Sequence, residues 1–78
     1  MATIYSSGSF KITVYADDHN PPHFHILTPD ESIAIELTTF TILKGKMKGK
    51  HLANALDWAK EHKDDIWKEW NRVHESEE

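Results

Sequence analysis

The chain has no cysteine, three glycines, three prolines and no long apolar run in its 78 residues. Because cysteine is missing, disulfides and thiolate metal sites are excluded, and a metal would need imidazole, carboxylate or water ligands. Because no long apolar run or basic start followed by an apolar stretch is present, neither a membrane-spanning helix nor a secretory signal is predicted. We therefore expect a soluble cytoplasmic protein with one domain and a small core.

The sequence also lacks an excess of positive charge. The net charge is −4: residues 1–50 balance five lysines against five acids, whereas residues 51–78 carry four bases against eight acids. A protein that grips DNA by bulk charge carries a basic face, so that class is not expected. A local basic patch is formed by Lys44, Lys46, Lys48 and Lys50. Because lysine alternating with glycine is typical of loops, a solvated connection is the favoured interpretation.

Alternating apolar residues predict strands in the first half of the chain. Residues 10–16 alternate strictly between apolar and polar side chains, which is the period of a half-buried strand. A short strand is predicted before it, and three more after the proline pair. The predicted strands are residues 3–5, 10–16, 23–27, 33–37 and 40–43.

The apolar period changes to that of a helix after residue 50. The residues at helical spacing are Leu52, Ala55, Leu56, Ala59, Ile66, Trp70 and Val73. One unbroken helix over residues 51–74 would be about 36 Å long, more than a domain of this size spans, so we expect a break near residues 62–64. Strands followed by helices predict an α+β fold, a four- to five-stranded antiparallel sheet with two C-terminal helices packed on one face. The expected single domain has its sheet in residues 1–46, its helices in residues 47–75 and a frayed acidic tail in residues 76–78.

The stretch DDHNPPHFHI, residues 17–26, gathers three histidines around a proline pair. On a strand, His23 and His25 share one face and lie about 6.6 Å apart at Cα. The prolines restrict the backbone that leads into this strand, which lowers the entropic cost of presenting His19 beside His23 and His25. We expect all three rings to cluster on the sheet face that the helices leave uncovered, or at the end of the sheet.

Two carboxylates and three further side chains complete the predicted site. Asp17 and Asp18 are close enough in sequence to orient an imidazole or to ligate a cation. Tyr15, Lys11 and Glu36 are expected on the same open face if the register is regular.

Four interpretations of the histidine segment stay open. In the first, His19, His23 and His25, with Asp17 or Asp18, bind a divalent metal such as zinc. In the second, two imidazoles act as general acid and base on a phosphodiester. In the third, the exposed face docks a partner protein or an RNA. In the fourth, the rings brace the turn by hydrogen bonds to the backbone. The pattern assigns no catalytic residue and no oligomeric state.

The stretch HNPPHFHI, followed by GKMKGKHLANALDWAKEHKDDIWKEWN, resembles a bacterial family of small proteins, the domain of unknown function 4160. The likeness covers nearly the whole chain, and its His-Pro-Pro-His-Phe-His core is the specific part. One subgroup carries Ala-Glu-Tyr where this chain has Ile26-Leu27-Thr28, which removes a carboxylate near the histidines. The same subgroup often has a proline before the first helix, where this chain has Lys48-Gly49-Lys50.

The resemblance implies no biochemical activity, because none is assigned to the family. Genes of the family tend to neighbour those of a second small family, in a layout similar to toxin–antitoxin pairs. The resemblance therefore implies a partner protein or an RNA as the binding partner, by association and not by mechanism.

Overall fold

The fold is known from a computed structural model that describes residues 2–15, 21–47 and 49–75. Five antiparallel strands lie in the sheet in chain order, and two helices follow them. The strands are β1 (Ala2–Ser6), β2 (Lys11–Val14), β3 (His23–Leu27), β4 (Ser32–Glu36) and β5 (Ile42–Lys46), and the helices are α1 (Gly49–Glu61) and α2 (Lys63–Glu75). The predicted α+β architecture is confirmed.

The strand register sorts the side chains into two faces, because residues directly opposite each other in an antiparallel pair point to the same side. Ile12, Ile26 and Ile33 are partners across β2, β3 and β4 and form a row on one face. A second row runs across the other face through Thr13, His25, Ala34 and Lys44. The histidine prediction concerns this second face.

One hydrophobic core joins the sheet to both helices. Phe24 and Ile26 are fully buried in it, as the alternation in β3 predicts. Each such side chain contributes about 1.5–3 kcal/mol to stability by leaving water. The helices supply Ala55, Ala59, Ile66, Trp70 and Val73 to the same core. The apolar residues whose spacing predicts the two helices therefore also pack the helices against the sheet.

The break between the helices lies at His62, where the sequence predicts it. The His62 amide donates to the Trp58 carbonyl at 3.0 Å, which closes the last turn of α1. The first turn of α2 carries Asp64 and Asp65, whose charges suit the positive end of the helix dipole. Among the described residues, no helix is long and apolar enough to cross a membrane.

The fifth strand lies further along the chain than predicted, and this corrects the interpretation of the basic patch. Lys44 and Lys46 are strand residues of β5, paired with Ala34 and Ser32, and do not belong to a loop. The turn takes up residues 37–41, where the Phe40 amide donates to the Glu36 carbonyl at 2.8 Å and Phe40 has a φ of 59°.

The other two lysines of the predicted patch are placed differently. Lys50 is exposed in the first turn of α1. Lys48 lies outside the described residues.

Candidate functional site

The proline pair positions the histidines at the start of β3. The Leu37 amide donates to the Pro22 carbonyl at 2.9 Å, so the entry to β3 is tied to the turn after β4. The next residue, His23, donates from Nδ1 to the Pro21 carbonyl at 2.8 Å. Both proline carbonyls therefore accept hydrogen bonds, and one of these bonds orients the His23 ring at the start of the strand.

Five aromatic rings form a continuous chain from the sheet to α2, which we call the ring cluster: Tyr15, His25, His23, Trp70 and His74. Along it, the ring centres are 4.7 Å, 5.1 Å, 5.6 Å and 3.8 Å apart. The Tyr15–His25 and His23–His25 pairs meet edge to face, at 71° and 66°. Edge-to-face contact is a favourable arrangement of ring quadrupoles, so the two histidines have defined orientations.

The described part of the site is half-buried. His23 and His25 are partly covered, because Trp70 of α2 packs against His23. Thr13, which faces the same side as His25, is only 1% exposed. The helical layer and the neighbouring rings thus reach this end of the sheet, and the face is open only in part.

The hydrogen bond of His23 determines which nitrogen can act as a base or a ligand. A carbonyl oxygen only accepts, so Nδ1 of His23 carries the hydrogen, and in the neutral ring Nε2 holds the lone pair. Metal-binding histidines commonly donate their other ring N–H to a backbone carbonyl, which fixes the ring orientation. His23 has this arrangement.

The two neighbouring imidazoles lie close together and meet edge to face. The centres of His23 and His25 are 5.1 Å apart. Within residues 2–15, 21–47 and 49–75, however, no three His, Cys, Asp or Glu side chains come together as a metal-binding group. The described part of the chain therefore supplies two neighbouring imidazoles and no complete metal site.

The remaining predicted residues are placed as follows. Glu36 is the cross-strand partner of His23, and its carboxylate accepts from the Thr38 hydroxyl at 2.7 Å. Lys11 is exposed at the start of β2, opposite Leu27, and therefore lies away from the histidine end of β3. The predictions for Asp17, Asp18 and His19 fall outside the described residues.

The sequence pattern did not identify Trp70 and His74 as members of the cluster. The helical spacing predicts Trp70 as an apolar residue of a helix, which its 5% exposure fits. A signal was present, since a histidine follows a tryptophan by four residues twice, at Trp58/His62 and at Trp70/His74. In both pairs the histidine Nδ1 donates to the tryptophan carbonyl, at 2.9 Å and 2.7 Å, and the rings are in contact.

Several concave surfaces lie near the sheet, and one of them involves His25 of the ring cluster. A shallow groove of about 240 Å³ on the partly open face is lined by His25, Ser32, Ala34 and Lys44, among others. A larger concavity of about 360 Å³ lies between the turn after β1 and the end of β3. Its lining holds no histidine and no acid. A neighbouring concavity of about 240 Å³ has Asp30, Glu31 and His51 in its lining.

The α2 helix beside the cluster carries an exposed ion pair. Arg72 donates from Nε to the Glu69 carboxylate at 2.8 Å. This hydrogen bond, together with the positive charge of Arg72, lowers the pKa of Glu69 and outweighs the opposing effect of partial burial. The same contact raises the pKa of Arg72.

Comparison with known proteins gives a family and no function. The family model described as "Domain of unknown function (DUF4160)" matches residues 9–71, most of the chain. Neither the curated proteins nor the solved structures gave a match.

Proposed function

The chain belongs to the DUF4160 family, and we propose that it is a ligand-binding protein whose ring cluster binds a divalent metal ion through His23 and His25. The observation that carries the proposal is the His23–His25 pair, with ring centres 5.1 Å apart and Nδ1 of His23 committed to the Pro21 carbonyl. Nε2 of His23 is the nitrogen that would face the ion.

The chemistry of the ligands indicates the class of metal. Imidazole suits zinc, copper and nickel, whereas magnesium and calcium prefer oxygen ligands. No thiolate is available, because the sequence has no cysteine. Two imidazoles leave other positions in a four-coordinate site, and the proposed further ligands are His19, Asp17 or Asp18. A site completed by water would leave room for a substrate.

Zinc binding by the purified protein tests the proposal. We expect calorimetry to show one saturable zinc site, and His23→Ala and His25→Ala each to weaken its affinity. Loss of a supporting partner alone costs about 10–100-fold in metal affinity, and loss of a ligand should cost at least as much. The matched control is His62→Ala, because His62 also donates from Nδ1 to a backbone carbonyl and also contacts an indole ring.

Folding must be separated from binding in this experiment. Circular dichroism of each variant without metal verifies that the sheet and helices are retained. If folded His23→Ala and His25→Ala bind zinc as tightly as the parent protein, or if His62→Ala weakens binding equally, the ring cluster is not the metal site.

A further inference from the structure

Strand β5 forms an unpaired edge of the sheet and is unusually exposed. Each of its five residues is exposed, and in the part of the chain that the structure describes no strand lies beyond it. Ile42 and Leu43 are 52% and 43% exposed and are the large hydrophobic residues left uncovered in the described chain. An edge strand with free backbone groups and exposed apolar side chains is a template for a further strand.

The two faces of β5 differ in chemistry. Lys44 and Lys46 are partners of Ala34 and Ser32, so they lie on the partly open face. The register of β4 and β5 shifts by one residue between Ala34 and Ile35, so Ile42 is the partner of Ile35 and lies on the helix-covered face, where it is 52% exposed. A strand added beside β5 would meet positive charge on one face and the aliphatic side chain of Ile42 on the other.

The positive charge of β5 indicates which kind of partner can bind along this edge. A second copy of β5 would bring lysines close to lysines, and like charges across a strand pair are destabilising. Single-stranded RNA is usually held by aromatic stacking beside a basic groove, and β5 carries no aromatic residue. An acidic extended peptide satisfies both faces when its acidic and aliphatic residues alternate.

We propose that β5 is a docking edge for an extended segment of a partner protein in which acidic residues alternate with aliphatic ones. The backbone of the segment pairs with the free edge of β5. Its carboxylates lie near Lys44 and Lys46, and the groove beside Lys44 lies on that same face. Its aliphatic side chains cover Ile42. This inference does not depend on the metal site.

A synthetic peptide tests the docking edge on the full chain. The probe is an acetylated and amidated eight-residue peptide that alternates Glu and Val, titrated into labelled protein and followed by backbone amide NMR. We expect saturable shifts centred on residues 42–46 and slower amide exchange there. Reversing both lysines, in K44E/K46E, should weaken binding about tenfold, because two attractive cross-strand pairs become repulsive. The control K60E/K68E makes the same charge change on exposed helix positions and should stay within about twofold.

Backbone pairing is tested separately from charge. Two further peptides carry N-methyl groups, one at every Glu and the other at every Val. A strand offers alternate amides to each side, so only one of the two should lose binding. The proposal is overturned if the parent peptide gives no saturable shift by about 1 mM, or if both methylated peptides bind as well as the parent. It is also overturned if oligouridine binds at Lys44 and Lys46 while the peptide does not.

Discussion

Thr13 offers a test of how tightly the sheet is packed beside the ring cluster. It lies in the middle of β2, opposite His25, and is 1% exposed. Its hydroxyl oxygen is buried and has no hydrogen-bond partner among the described residues. A polar atom removed from water without a partner costs free energy, and valine has nearly the same shape without the hydroxyl.

The size of the stability change expected for Thr13→Val follows from the burial of the hydroxyl group. Burying an unpaired hydroxyl costs about 1–3 kcal/mol in protein mutational data, and valine adds a buried methyl group in its place. Allowing for imperfect fit of that methyl group, we expect Thr13→Val to raise the free energy of unfolding by about 1 kcal/mol. In a domain of this size, that corresponds to an increase in Tm of about 4–8 °C.

Thermal and urea unfolding followed by circular dichroism measure the effect. The matched control is Thr3→Val: Thr3 is the cross-strand partner of Thr13 but is exposed, so the same substitution should change stability by less than about 0.5 kcal/mol. A Thr13→Val variant less stable than the parent protein would contradict the reasoning, because it would show that the hydroxyl makes a hydrogen bond.

Two further predictions concern β5 and α2. Gly45 has a φ of 92°, and a Cβ there would meet the Ser32 carbonyl oxygen, so Gly45→Ala should cost about 1–3 kcal/mol in unfolding experiments. Gly8→Ala, at a position with open space, should cost less than about 0.5 kcal/mol, and equal losses would refute the steric argument. Because Arg72 lowers the pKa of Glu69 in the folded state, the pair stabilises the protein above the unfolded pKa of Glu69 and loses this effect as pH falls through the lowered value. Glu69→Gln should therefore lower Tm more at about pH 7 than at acidic pH, and a pH-independent difference would contradict this.

The fold was largely predictable because its elements follow local periodicity. The alternation around Ile12 and in β3 indicates strands, and the spacing of Ala55, Ala59 and Ile66 indicates helices. The fifth strand lies at residues 42–46 and not at the predicted residues 40–43, because its position depends on its pairing with β4, which is not local in sequence. The partner of Lys46 is Ser32, and this register carries a lysine- and glycine-rich stretch into the sheet although its composition is typical of a loop.

The site was predictable to the extent that it depends on the period of β3. That period places His23 and His25 on one face, and the structure brings their rings into contact. The contact between His23 and Trp70 joins residues that are far apart in sequence, and no local pattern predicts which helix turn reaches the end of a strand. For the same reason the burial of Thr13 was not foreseen.

Nitrogen-15 NMR of the histidine rings, recorded with and without zinc, tests the metal site most directly. Without metal, we predict the Nδ1–H form for His23, as its bond to the Pro21 carbonyl requires. Saturating zinc should shift Nε2 of His23 and one ring nitrogen of His25, while the ring signals of His62 keep their positions. A His23 ring protonated at Nε2 alone, or His23 and His25 rings that do not respond to millimolar zinc, would contradict the proposed metal site.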